Sequence, residues 1–261
     1  MKGFLVAILF LTRIPLPYIE VSEKDLSNCV SFFPVVGAIE GLITGTGVLL
    51  LKRLFSSDIL AIFALLVVFF IRGIFHLDGL SDTCDALSIK PSGDAKKDIE
   101  KRLRIMKDST VGVGGVFAVV MLILSKFILF KSAIELNLFF PAIVTSFAIS
   151  RWVAVGLMKV SKPAKKEGLG YLLMKNIKSF HLIFASIFAF LIVLSACCLA
   201  KINFFISFLL FVLVFLLVLT LKVFFEKNFG GITGDTLGAS IEITEVLSFL
   251  IWVSLGQRHS L

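Results

Sequence analysis

The chain has 261 residues, of which 58% are hydrophobic and only 17% charged; a soluble domain carries about 25% charged residues. With a mean hydropathy of +1.02, the composition excludes an ordinary soluble enzyme. It reads as an all-α, polytopic helical membrane protein, one integral-membrane unit with about six to seven transmembrane helices. The formal net charge is +8, but the basic residues fall mainly between apolar runs. That pattern points to membrane lipid headgroups and loop orientation, not to nucleic acid. The four cysteines show no Cys-x-x-Cys spacing, which argues against a zinc framework.

Met1–Leu11 is a short apolar run without a small-residue cleavage site after it, so a retained interfacial or re-entrant helix is expected, ended by Pro15 and Pro17. Arg13 then stands at a membrane boundary, where snorkelling to headgroups and holding a substrate phosphate are both open. Ser22–Asn28 is polar and suits a helix cap. The first clear span is Ser31–Leu51. Its Gly37, Gly41 and Gly45 form a small-xxx-small stripe that predicts close helix packing. Glu40 lies inside that span, and an intramembrane carboxylate is a functional candidate by default.

A second span, Ile59–Phe75, leads into the polar segment Leu77–Thr110. Spans at Val111–Phe130, Phe139–Met158, Phe180–Ala200 and Phe204–Phe225 follow, with a basic loop at Lys159–Ser179. A glycine-rich loop, Gly230–Gly238, precedes an apolar helix around Ile243–Leu255 that is expected to be short for a full crossing. Lys and Arg concentrate in 1–30, 77–110, 159–180 and 225–243. The opposite loops hold Lys52, Arg53, Lys131, Lys201 and Arg258. The positive-inside rule makes the richer face cytoplasmic, and every polar motif falls on it.

The central motif is His76–Asp85. In a helix, Asp78, Asp82 and Asp85 stand at i, i+4 and i+7, on one face. Three like charges at a membrane end repel one another and are poorly solvated. A hard divalent cation such as Mg²⁺ removes both problems; a solvated acidic loop is the plain alternative. His76 reads as a hydrogen-bonding partner.

Two glycine segments add phosphate chemistry. In Arg104–Gly115, glycine-freed N–H groups at a helix start can cradle phosphate, with Arg104 and Lys107 neutralising it. A helix start capped by Ser109 is the plain reading there. In Gly230–Ala239, Gly231 and Gly234 let the backbone approach a ligand. Asp235 offers a carboxylate for a metal or for a nucleophile's proton. Glu242 and Glu245 extend the site or cap its end, and Arg151 meets a phosphate or a carboxylate.

Taken in order, the blocks Phe10–Pro17, Phe33–Gly37, His76–Thr83, Ile105–Ser109, Ser150-Arg151, Glu167–Gly170 and Gly230–Ala239 resemble the cobalamin 5′-phosphate synthase (adenosylcobinamide-GDP ribazoletransferase) family. Ser81, Ala86, Thr110 and Glu40 depart from its usual residues. The resemblance implies that adenosylcobinamide-GDP is joined to α-ribazole or α-ribazole 5′-phosphate, with GMP released and Mg²⁺ required. It implies metal binding by Asp78, Asp82 and Asp85, with Asp82 also catalytic, and a role for Asp108 or Asp235 in orienting or deprotonating the attacking hydroxyl. Arg13, Arg104, Lys107, Arg151, Gly231 and Gly234 would hold phosphates. The site would face the cytoplasm from the plasma membrane; a homo-oligomer is compatible but not required. A CDP-alcohol phosphotransferase fails in its motif, because Asp82-Thr83 stand where Ala-Arg is needed. A membrane prenyltransferase shares the carboxylate chemistry. A transporter would place its polar groups near the bilayer midplane, not at one end.

Overall fold

The computed structural model describes residues 2–108, 110–201 and 204–259. They form an all-helical bundle; among the described residues the only β-type pairing is an isolated bridge between Pro163 and Ile232. Ser109, the expected helix cap, lies outside the described residues.

The chain begins with α1 (Lys2–Leu11) and α2 (Glu23–Cys29). At ten residues α1 is too short to cross. Helix α2 starts on a reciprocal capping box in which Ser22 accepts from Asp25 N–H and the Asp25 carboxylate accepts from Ser22 N–H. A 3₁₀ turn at Val30–Phe32 leads into α3 (Phe33–Leu51), with Pro34 in its first turn, where a missing N–H costs nothing.

The glycine stripe on α3 faces α8 (Phe139–Val160). A Cβ at Gly41 would lie 2.7 Å from Val144 Cα, and one at Gly45 2.8 Å from Phe140 Cδ2. Gly37 faces the Phe147 carbonyl in the same way. Helix α8 is the bundle's axis, buried continuously from Ala142 to Met158. It is flanked by α3, α10 (Ser179–Leu199), α11 (Phe204–Phe229) and α12 (Gly234–His259).

Among the described residues, five helical segments are long and apolar enough to cross a membrane: the one ending in α3, α7 (Val113–Glu135), α8, α10 and α12. Helix α4 (Ser57–Arg72) makes a sixth if counted with α5 (Phe75–Leu87) as a broken span. The chain is a multi-pass membrane protein. The final helix corrects the sequence expectation. It runs from Gly234, not from Ile243, and is long enough to cross. It carries Asp235 in its first turn, half-buried at the bundle end, and Glu242 and Glu245, which interrupt the apolar pattern yet pack inside the bundle.

Between α4 and α5 the axis turns by 94°. The break is at Gly73, whose φ of +77° suits glycine. Arg13 packs over this glycine, and its backbone N–H donates to the Ile71 carbonyl at 2.6 Å. Helix α5 therefore leaves the direction of the spanning α4 and lies at the bundle end.

The polar loops gather at that end with α6 (Ala95–Ile105) and α9 (Gly168–Lys175). Lys107 pairs with Glu167 at 2.6 Å, Arg102 donates to the Asn228 carbonyl at 3.1 Å, and Ile232 N–H donates to the Lys162 carbonyl at 2.9 Å. The opposite end is closed by Ser57 donating to Glu135 at 2.8 Å and by Lys131 with Asp58 at 2.7 Å.

Candidate active site at the polar end of the bundle

Helix α5 exists because the carboxylates share a helical sequence with Leu77, Leu80 and Ala86, which are buried on its other side. Glycine sets its distance from α12. A Cβ at Gly79 would lie 2.7 Å from the Asp235 carbonyl oxygen and 2.9 Å from its Cα. The two backbones touch there, which brings Asp78 and Asp82 beside Asp235. The neighbourhood is visible in the charge of Asp82. Burial, then Asp78, Asp235 and Asp85, push its carboxyl up to about 6. None of Asp78, Asp82 and Asp235 has an ion-pair partner among the described residues.

Asp85 behaves differently. Its two oxygens accept from Gly112 N–H and Gly115 N–H, each at 2.8 Å. It caps α7 from a neighbouring helix and satisfies donors that a helix start leaves open. The expected phosphate cradle in Arg104–Gly115 is thus occupied by the chain's own carboxylate. Its glycines serve closeness instead: a Cβ at Gly115 would fall 2.5 Å from Asp85 Oδ2 and 3.0 Å from the Ser81 carbonyl.

Two cavities meet at this end. One, of about 470 Å³, is lined by Lys107, Lys165, Glu167 and the first turns of α9 and α12. The other, of about 460 Å³, is mostly apolar and reaches between α1, α5, α8, α9 and α12, with Asp78 and His76 in its wall. Leu169, Gly170, Gly234 and Asp235 line both. In the polar cavity, burial and then the neighbouring Lys107 hold the Lys165 ammonium below its usual range. An anion there relieves the repulsion. Gly234 has nothing within 4 Å of an added Cβ, so its backbone is open to a ligand.

The remaining residues singled out from sequence divide clearly. Lys107, Gly234 and Asp235 line the polar cavity. Arg13 and Arg104 are exposed and line neither cavity. Gly231 serves the loop, because a Cβ there would sit 2.7 Å from Ala164 N. Asp108 is exposed and accepts from Thr110 N–H at 3.0 Å and from its hydroxyl at 2.8 Å. These bonds hold its carboxyl below the usual range, which makes it a weak base.

Arg151 corrects a phosphate-binding expectation: it is fully buried and meets carboxylates. It pairs with Glu40 at 2.6 Å and with Glu245. Arg72 joins them, 2.9 Å from both Glu40 and Glu245 and 3.2 Å from Glu242. Lys126 pairs with Glu245 at 2.6 Å and with Glu242. Three cations and three carboxylates from α3, α4, α7, α8 and α12 thus balance inside the bundle, with Arg72 also 4.7 Å over the Phe147 ring. Sequence reasoning missed Arg72 and Lys126 as a group with Glu242 and Glu245. The available signal was lone charges of both signs inside apolar runs, which must find one another. Lys165 was missed because it stood among other loop lysines.

Among the described residues no three His, Cys, Asp or Glu side chains stand close enough to hold a metal ion by themselves. Mg²⁺ does not need three: it keeps waters and is commonly held by one or two carboxylates plus substrate phosphate. The unpaired, mutually repelling Asp78 and Asp82 fit that requirement, and Asp85, already engaged by α7, is the least free of the three.

The chain matches the family described as Cobalamin-5-phosphate synthase over residues 3–253. It is 42% identical to "Adenosylcobinamide-GDP ribazoletransferase" of Thermodesulfovibrio yellowstonii, over 98% of this chain and 96% of the relative. It is 36% identical to proteins of the same name from Caldanaerobacter subterraneus subsp. tengcongensis (96% and 97% covered) and Clostridium tetani (97% and 96%). No solved structure matches the chain.

Proposed function

Because the chain belongs to the cobalamin-5-phosphate synthase family, we propose that it joins adenosylcobinamide-GDP to α-ribazole or α-ribazole 5′-phosphate and releases GMP. The observation that carries this reading is Asp235, a carboxylate at the junction of a lysine-lined cavity and an apolar one. Phosphoryl transfer needs the attacking and leaving oxygens roughly in line, on opposite sides of phosphorus. A junction between two cavities supports that arrangement.

Lys107 and Lys165, with the open backbone at Gly234, hold the diphosphate of the donor by charge-assisted contacts. Glu167 pairs with Lys107 at 2.6 Å. A ribose hydroxyl oxygen forms the new bond to the phosphorus that carries cobinamide. The bond from that phosphorus to the bridging oxygen breaks, and GMP leaves with the electron pair. Asp235 orients the hydroxyl and takes its proton. Asp78 and Asp82 are the residues to hold Mg²⁺, which when bound neutralises charge developing on the diphosphate. Asp85 fixes α5 against α7 and so sets where the other two carboxylates stand. The basic end faces the cytoplasm, and the protein resides in the plasma membrane.

Purified protein incubated with adenosylcobinamide-GDP, α-ribazole 5′-phosphate and Mg²⁺ should release GMP in step with the corrinoid product. Absence of GMP with protein that is folded and metal-loaded would overturn this function.

A further inference from the structure

We propose that the apolar cavity is the seat of the acceptor's aromatic base, the substituted benzimidazole of α-ribazole, so that the two reactants enter the junction from different cavities. The inference rests on the transferase reading above and assigns a substrate group to a part of the site.

The cavity's size and lining carry it. At about 460 Å³ it lies within the range of roughly 300–1,000 Å³ typical of small-molecule sites, too small for a corrin macrocycle and suited to a nucleoside. Its walls include Leu9, Phe10, Phe33, Phe75, Leu173 and Ile241. Phe10 and Phe33 stack on each other with ring centroids 5.7 Å apart, which holds both rings in place in that lining. The lysine cavity has one aromatic ring in its lining, Tyr171, against the three phenylalanines here.

The position of the cavity selects the acceptor over the donor. Asp78 and Asp235 stand in its wall, and Asp235 also lines the lysine cavity. A base held among the phenylalanines leaves its ribose toward Asp235, the carboxylate that the two cavities share, where a hydroxyl meets the group that takes its proton. The guanine nucleotide carries the leaving phosphate and belongs on the side of Lys107 and Lys165. A lipid chain would match the apolar residues but not Arg72, His76 and Asp78, which line the same cavity. A heteroaromatic ring with a nitrogen offers that wall a polar contact as well as a face.

The test narrows the cavity from two sides. Ala154 lines it from α8 and Leu9 from α1. Ala154→Leu and Leu9→Trp are expected to raise the KM for α-ribazole by about tenfold or more while leaving the donor KM within about twofold. Lys165→Ala is expected to do the reverse. Free 5,6-dimethylbenzimidazole should compete with α-ribazole in the parent protein, and less well in the narrowed variants. If Ala154→Leu fails to fold, Leu9→Trp, at the half-exposed face of a surface helix, decides. An unchanged acceptor KM in every folded narrowed variant, with no competition by the free base, would mean a lipid-filled or idle cavity and would overturn the assignment. A rise in the donor KM alone would overturn it too. Both results leave GMP release by the parent protein intact, whereas a parent protein that releases no GMP defeats the transferase reading itself.

Discussion

Asp82 concentrates the electrostatic cost of the site in one side chain. Its carboxyl is pushed up to about 6 by burial and by three neighbouring aspartates. A group whose folded pKa lies above its unfolded value favours the folded state most at low pH, and that contribution is lost as pH rises from about 4 to about 6. At neutral pH, therefore, metal-free protein carries a destabilising charge here. Asp82→Asn is expected to abolish turnover yet leave the metal-free melting temperature equal or higher at pH 7, with the gain vanishing near pH 4. Near-normal turnover at saturating Mg²⁺ would remove Asp82 from the site. At Lys107 the expectation is a loss of binding. Lys107→Ala forgoes a charge-assisted phosphate contact of about 1.5–3 kcal/mol and should raise the donor KM by about tenfold or more, with the acceptor KM nearly unchanged. An equal rise in both KM values in steady-state assays would count against phosphate binding.

Among the elements, the pairing of α3 with α8 depends on missing side chains. Gly41→Val would drive atoms into Val144 Cα, 2.7 Å from the new Cβ, and Ile143 O, 2.9 Å from it. Overpacking of this kind typically costs about 1–3 kcal/mol. A clear fall in the thermal midpoint in detergent is expected, and an unchanged midpoint would show that the helices part freely. Beside this contact, Arg151 ties α8 to α3 and α12 through Glu40 and Glu245. Removing one partner of a buried ion pair leaves an uncompensated charge and costs about 3–5 kcal/mol. Arg151→Met alone should therefore destabilise the protein strongly. Adding Glu245→Gln should recover part of the loss, a non-additivity readable in paired thermal melts. The cluster lies beneath His76, 4.0 Å from Glu242 through its Nδ1, and so supports the floor under α5, with Arg72 reaching the lining of the apolar cavity.

For the whole molecule, the two ends are chemically distinct, and the proposed cytoplasmic placement of the basic end can be checked in intact cells. Cysteine introduced at Lys97 should resist an impermeant reagent added from outside, and cysteine at Arg53, on the opposite end, should react. Strong labelling at position 97 would reverse the orientation. Much of this plan was legible in the chain itself. Hydrophobic runs and their breaks located the spans, since each helix satisfies its own backbone and needs only an apolar face. The spacing of Asp78, Asp82 and Asp85 placed them on one helical face, and the glycines of α3 announced a close contact. These are local properties, repeated over 3.6 residues or over one span, so the sequence by itself determined them. Only tertiary structure decided how the polar groups are used. It turned Asp85 to the N–H groups of α7, matched Arg151 with Glu40 and Glu245, and set Asp235 against Gly79. It also opened two cavities that share one carboxylate. Those outcomes depend on which helices pack together and at what rotation, and a charge in one helix does not encode the partner that another helix brings to it.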